Sequence, residues 1–357
     1  MVEFDVIPPY PPNDGILFVD HSKANRSGHL GHALVEHEPG NILAFYSNNS
    51  DHNRGHSGDG WMEYRLSEDA GRTWSDPTPL PYSKQTYEGP TGRAVACEKA
   101  VATSEGGIVL FNLEYRKPQG KGSWHPHYEP TYLRSFDAGR TWDGPYRLCD
   151  EPGRIYEALY RDGVIYVLSF CNDTTDQFTG TMPEHVYRLY VSTDQGRTFI
   201  ERSALPFNTI GRGYGTMAFL HDGSIIAYVY NINDEKHLDY VISRDNGMTW
   251  QPPKTAYFEK QIRNPQMASF KDGFILHGRS GSKGEQSIRG HFVLYTSDDG
   301  VTWDGGRYLR MQDAGHGAYS NNLLVTDPAD GNRRRLLIQA SHAYRQNQAN
   351  VLHWWLE

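Results

Sequence analysis

Five copies of one eight-residue motif constrain this chain more than any other feature. They read SEDAGRTW (Ser67–Trp74), SFDAGRTW (Ser135–Trp142), STDQGRTF (Ser192–Phe199), SRDNGMTW (Ser243–Trp250) and TSDDGVTW (Thr296–Trp303), with starts 68, 57, 51 and 53 residues apart. The shared form is S/T-x-D-x-G-x-T-aromatic. Repetition on this scale marks an array of supersecondary units, none of which buries its apolar face alone. The motif is turn chemistry. Ser/Thr and Asp side chains satisfy local backbone donors, Gly permits positive φ, and the aromatic plugs the gap to the next repeat. Asp69, Asp137, Asp194, Asp245 and Asp298 are therefore expected in surface turns, remote from any site.

Each motif follows an apolar stretch fit for a strand, such as HVYRLYVS or LDYVIS. Earlier in the repeats lie hairpins with Asp-Gly at the turn: YRDGVIYVLSF, LHDGSIIAYVYN and FKDGFILHGRS. Asp-Gly between β-rich runs is a strong hairpin signal. The expected fold is all-β: one β-propeller over residues 1–357, built of four-stranded antiparallel blades. The repeat count gives six blades, near residues 28–75, 93–143, 154–200, 212–251, 263–304 and 317–357. The long first interval leaves seven open. The sixth blade has no motif. VLHWWLE takes its place, and GILFVD near the N-terminus can add the outer strand, closing the ring and protecting its edges.

Aromatic residues make up 13% of the chain, with 23 Tyr and 8 Trp, which suits a β core and a sugar-binding surface. A net charge of −8 disfavours nucleic acid as a partner. There is no apolar run long enough to span a membrane. The start, MVEFDVIPPYPPNDG, lacks a basic and then apolar signal segment. A cytoplasmic location is expected unless a signal has been removed. Cys97, Cys149 and Cys171 have irregular spacing and read as buried small apolar residues, not a disulfide framework.

Propeller ligands bind in the mouth around the axis, where the innermost strands begin. Those strands open at SGHLGHALV, TGRAVACE, GRIYEAL, GRGYGTMAF, RNPQMASF and GHGAYSNNL. They supply His29, His32, Arg93, Tyr156, Glu157, Arg212, Tyr214, Arg263, Gln266, His316 and Tyr319. Loops leaving the second strands add His52, Asn53, His56, Tyr115, Arg279, His342 and Arg345. Several cations aimed at one pocket need an anion. The arginine fork matches a carboxylate, so a sugar acid is the natural ligand. WHPHYEP places His125 and His127 at a spacing some zinc sites use, but solvent-exposed loop histidines are the plainer reading, and no metal or other cofactor is expected.

The repeated motif is the Asp-box, and over nearly its whole length the chain resembles sialidase-like propellers. That resemblance implies structural boxes. It also aligns Arg212 and Arg263 with two members of the sialidase arginine triad, and Tyr319 in GAYSNNL with the Tyr nucleophile. The chain departs from that pattern in its first blade, where Leu30 of HLGHALV stands at the third arginine's position. The segment from NRSGHLGHALVEHEPG to SGDGWMEYRLSEDAGRTW is similar to a different branch: ulvan lyases, rhamnose–glucuronate lyases of gum arabic breakdown, and related α-L-rhamnosidases. That resemblance implies β-elimination at a uronate within an acidic oligosaccharide or polysaccharide. In that branch His and Tyr act as base and acid; His32 and His52 are the histidines that match, with Tyr115 or Tyr214 in the Tyr role. Tyr319 completes the catalytic candidates, and Arg93, Arg212, Arg263, Arg279 and Tyr115 the substrate-binding ones. Hydrolysis of the same bond, or sugar binding without catalysis, are the alternatives.

Overall fold

A computed structural model of the protein describes residues 6–7, 16–50, 60–117, 127–171, 185–280, 291–309, 319–345 and 348–357. The chain opens on two short strands, β1 (Val6–Ile7) and β2 (Ile16–Val19). Five complete four-stranded blades follow. The first holds β3 (Leu34–Glu38), β4 (Asn41–Asn49), β5 (Gly60–Ser67) and β6 (Thr78–Pro79). The second holds β7 (Arg93–Ala102), β8 (Ile108–Arg116), β9 (Thr131–Ser135) and β10 (Asp143–Arg147). The third runs from β11 (Gly153–Arg161) through β12 (Val164–Cys171) and β13 (Val186–Ser192) to β14 (Ile200–Leu205). The fourth runs from β15 (Arg212–Phe219) through β16 (Ile225–Asn231) and β17 (His237–Ser243) to β18 (Lys254–Tyr257). The fifth comprises β19 (Arg263–Phe270), β20 (Gly273–Arg279), β21 (Phe292–Ser297) and β22 (Arg307–Leu309).

The sixth blade is shared by both ends of the chain. β23 (Ser320–Asp327), β24 (Arg333–Arg345) and β25 (Gln348–Leu356) are its inner strands, and β1 and β2 both pair antiparallel with β25. Phe18 of β2 stacks on His353 of β25 with centroids 3.8 Å apart. The fold is therefore a six-bladed β-propeller closed by pairing its own ends. The long first motif interval contains helix α1 (Pro81–Glu88), started by proline at its first turn, and no additional blade.

The hairpins follow the turn chemistry of the sequence with one shift. Asp162 and Gly163 both have positive φ, at 52° and 81°, as a two-residue turn with the twist of its strands requires. In FKDGF the turn residues are instead Lys271 and Asp272, with Lys271 at φ 52°, and Gly273 already belongs to β20.

Four Asp-boxes share one geometry. In the second, Asp137 accepts hydrogen bonds from Ser135 Oγ, Thr141 N and Thr141 Oγ1 at 2.9, 2.8 and 2.6 Å. Ala138 and Gly139 follow at φ 60° and 80°. A Cβ on Gly139 would lie 2.5 Å from Leu43 of the first blade. The same seat recurs around the ring: Gly196 on Val109, Gly247 on Leu189, Gly300 on Leu220, and Gly71 on Trp355 of the last blade. The motif aromatics follow suit. Trp142 meets Phe45 and Tyr64, Phe199 meets Phe111 and Tyr132, and Trp74 meets Phe18 and His353. The gap that they fill lies toward the preceding blade, not the next one.

The fifth box is one residue shorter. Ser297, not Thr296, donates to the carboxylate, and the receiving residue is Asp299, not Asp298. Gly300 N reaches Ser297 Oγ at a separation of three residues, where the other boxes use four. The left-handed residue before the glycine has been deleted, which a sequence match anchored on the first Ser/Thr does not register.

Candidate active site

A cavity of about 70 Å³ sits on the propeller axis, with room for several waters. All six blades contribute to its wall, through residues that include His32, Glu98, Lys99, Arg154, Tyr156, Tyr214, Gln266, Tyr319 and Asn321. The innermost strands are not regular there. Register shifts fall between Cys97 and Lys99, Ile155 and Glu157, Gly213 and Gly215, and Arg263 and Gln266. Glu98, Tyr156 and Tyr214 are thus the extra residues of β-bulges. A bulge re-aims side chains that strict alternation would send to the blade faces.

Two buried ion pairs and an amide relay form the cavity wall. Arg154 is 5% exposed, and its Nη2 donates to both carboxylate oxygens of Glu98 at 3.0 Å. Burial pushes the Glu98 carboxyl up, and the Arg154 charge opposes that. Lys99 Nζ pairs with Glu157 at 2.8 Å and donates to Asn321 Oδ1 at 2.8 Å and to Gln266 Oε1. Thr216 Oγ1 donates to the second Glu157 oxygen at 2.8 Å, and Asn321 Nδ2 donates to the His32 carbonyl at 2.6 Å. These bonds join the second blade to the third, fifth and sixth, the third to the fourth, and the sixth to the first.

Two tyrosines face each other in this wall. Tyr214 Oη lies 3.4 Å from Tyr319 Oη. Arg154 sits 5.5 Å from the Tyr214 ring centroid, and Arg279 sits 4.5 Å from that of Tyr319. Burial pushes the Tyr214 hydroxyl far up, and Tyr319 adds to that; Arg154, Arg263 and Arg279 pull the other way. The edge of the fully buried His29 ring packs against Tyr319 at 4.6 Å. Arg279 is 5% exposed, and its Nε has no hydrogen-bond partner among the described residues. Arg263 lies 5.2 Å from the Tyr230 ring and 3.4 Å from Glu235.

The structure therefore brings His32, Tyr214 and Tyr319 to one cavity, with Arg263 and Arg279 acting on the tyrosines. Burial lowers His32 to about 4, partly offset by the His29 backbone. Three sequence candidates lie elsewhere. Arg212 reaches across its own blade to Asp239 at 2.6 Å, because β17 supplies a carboxylate. Arg93 pairs with Glu114 at 3.0 Å and stacks over Tyr128. Tyr115 is packed in the apolar cluster between the first two blades. His52, Asn53, His56, His125 and His316 lie outside the described residues. Cys97 and Cys171 are buried, and Cys149 is half-buried. The sequence reading missed Glu98, Lys99 and Arg154. The available signal was a charged pair, CEKA, interrupting an otherwise apolar strand.

No known family profile matches the chain. Solved structures do resemble it. A protein of unknown function from Dyadobacter fermentans superposes with a TM-score of 0.69 at 15% identity, over 96% of this chain and 97% of that one. The NanB sialidase of Streptococcus pneumoniae gives 0.64 at 14% identity, over 98% and 71%. Trypanosoma rangeli sialidase gives 0.63 at 13% identity, over 100% of this chain and 59% of its own. At these identities the likeness is one of fold: the chain has the architecture of the sialidase-like β-propellers.

Proposed function

We propose that the protein cleaves an acidic, uronate-containing glycan by β-elimination at the axial cavity. The observation that carries this reading is the Tyr214–Tyr319 hydroxyl pair, with arginines packed on both rings. Elimination needs one group to take the C5 proton and another to protonate the leaving oxygen. The C–H electron pair forms the C4=C5 double bond as the C4–O bond breaks. Tyr214, kept protonated by burial, suits the donor role. Tyr319 is assigned the base, with Arg279 over its ring offsetting the negative charge that such a base carries. Arg279 would hold the carboxylate and the charge that develops beside it, while Arg263 is paired with Glu235. The cavity carboxylates are less suited to acid chemistry, because Glu98 is engaged by Arg154, and Glu157 by Lys99 and Thr216. His52 is a further candidate for the same proton traffic.

A second reading is exo-glycoside hydrolysis with Tyr319 as nucleophile. The position of Tyr319 at the start of the last blade favours it, and Leu30 in the cavity wall, in place of an arginine, weighs against it. Incubation with ulvan, gum arabic and sialyl-lactose separates the readings by product mass. An elimination product lacks the water that a hydrolysis product gains, and it absorbs in the ultraviolet. Release of free sialic acid would transfer the assignment to the hydrolase. Binding without any cleavage would make the protein a glycan-binding propeller.

A further inference from the structure

A buried chain of three side chains runs from the last strand of the sixth blade to the cavity wall. His353 Nε2 and Gln339 Oε1 are 2.9 Å apart. Gln339 Nε2 lies 2.7 Å from the Phe45 carbonyl and 3.1 Å from His32 Nδ1. Gln339 is fully buried, and His32 and His353 are nearly so. The Phe45 carbonyl can only accept, which identifies the Gln339 atom beside it as the amide NH₂. That NH₂ can only donate, so His32 Nδ1 must accept and carries no proton. The opposite end of the amide is an oxygen, so His353 presents Nε2–H to it. Phe18 stacks on His353 and fixes its ring plane.

We infer that Gln339 is a positioning residue that locks His32 as the neutral tautomer protonated on Nε2, so that Nδ1 is not available as a base. This rests on His32 belonging to the site proposed above, but the lock itself exists without substrate. His32 Nε2 is buried, and the His29 backbone is the other hydrogen-bonding group that acts on the ring. The charged and titratable groups around the relay reinforce its neutrality. His21 acts on His32, while His32 and Arg65 act on His353, and all of these disfavour a second proton. In the resting relay, accepting a proton would require Nδ1 to give up its amide partner.

The test is nitrogen NMR of the ¹⁵N-histidine-labelled full chain, with the His32 resonances assigned by their loss in His32→Gln. The expected result is a pyridine-like Nδ1 and a pyrrole-like Nε2, unchanged across neutral pH. Gln339→Glu replaces the donor by an acceptor and should shift the proton from Nε2 to Nδ1, so that the pyridine-like signal passes from Nδ1 to Nε2. Gln339→Leu should leave the tautomer unlocked, giving averaged shifts. A pyrrole-like Nδ1 in the unsubstituted protein would overturn the inference, whatever the stability of the variants. So would an unchanged His32 spectrum in a folded Gln339→Glu protein. Failure of all glycan cleavage would leave this result standing, because no substrate enters the measurement.

Discussion

At the scale of single residues, neutralisation inside the propeller decides which groups are available for chemistry. Arg93, Arg154 and Arg212 each meet a carboxylate, whereas Arg279 is held by aromatic stacking and lacks an ion pair among the described residues. Arg279→Ala should therefore lower turnover on acidic substrates by about 10²-fold or more, the scale of a lost charge-stabilising donor. Arg212→Ala should leave it within a few-fold. Rates on methyl-esterified and free-acid forms of one glycan check this, since under the proposed reaction the ester should be poor even for the unsubstituted protein. Tyr214→Phe and Tyr319→Phe keep the ring and remove only the hydroxyl. Each should cut turnover by about 10²–10⁴-fold with little change in melting temperature. Equal turnover in either folded variant would remove that tyrosine from the mechanism.

At the scale of the element, the Asp-box is both a local turn and a joint between blades. Thr141 holds the Asp137 carboxyl at about 2 through its hydroxyl and its backbone N–H, and Thr249 does the same for Asp245. At Asp194, Thr198 achieves this against opposing burial. An unfolded Asp titrates near 3.9. A carboxyl held low by the fold contributes stability that is present above the unfolded value and lost as pH falls through the folded one. Acid should therefore erode stability between about pH 4 and about pH 2, and Asp137→Asn should flatten that slope. Asp137→Ala should lower stability by about 0.5–2 kcal/mol, as loss of a capping hydrogen bond does, with turnover per folded molecule nearly unchanged. The antiparallel order puts the boxes on third-to-fourth-strand turns, on the face opposite the loops that follow the second strands. Reduced turnover at normal melting would contradict a purely structural role.

At the scale of the whole molecule, the ring is held at its rim by the chain ends and at its axis by Lys99. Lys99→Met would leave Glu157 buried and uncompensated, at a cost of about 3–5 kcal/mol. Lys99→Met combined with Glu157→Met should cost less than the single change, because no unpaired charge is left. Denaturant melts of the single and double variants measure this, and additive losses would refute the coupling. Removing residues 1–19 would strip β25 of its outer strands and Phe18 from His353. Cooperative unfolding should be lost or shifted steeply downward; an unchanged melt would deny the ends their role.

Blade number, strand order and end-to-end closure were legible in the sequence, because they follow from local chemistry repeated at intervals. Ser-x-Asp-x-Gly-x-Thr makes its own turn wherever it occurs, and Asp-Gly makes its own hairpin. Tyr214, Tyr319 and His32 were legible as mouth residues because the start of each inner strand has a fixed place in such a ring. Which charges face each other was not. Asp239 reaches Arg212 across a strand of the same blade, while Glu98 and Arg154 meet between blades and Gln339 reaches His32 across the closing seam. The bulges that turn Glu98 and Tyr214 inward also break the period-two pattern from which burial is inferred. The sequence by itself determined the repeating unit, since each unit's hydrogen bonds close within a few residues. Only the tertiary structure decided the site, since its partners come from blades far apart in the chain and their charges cancel or persist according to distance alone.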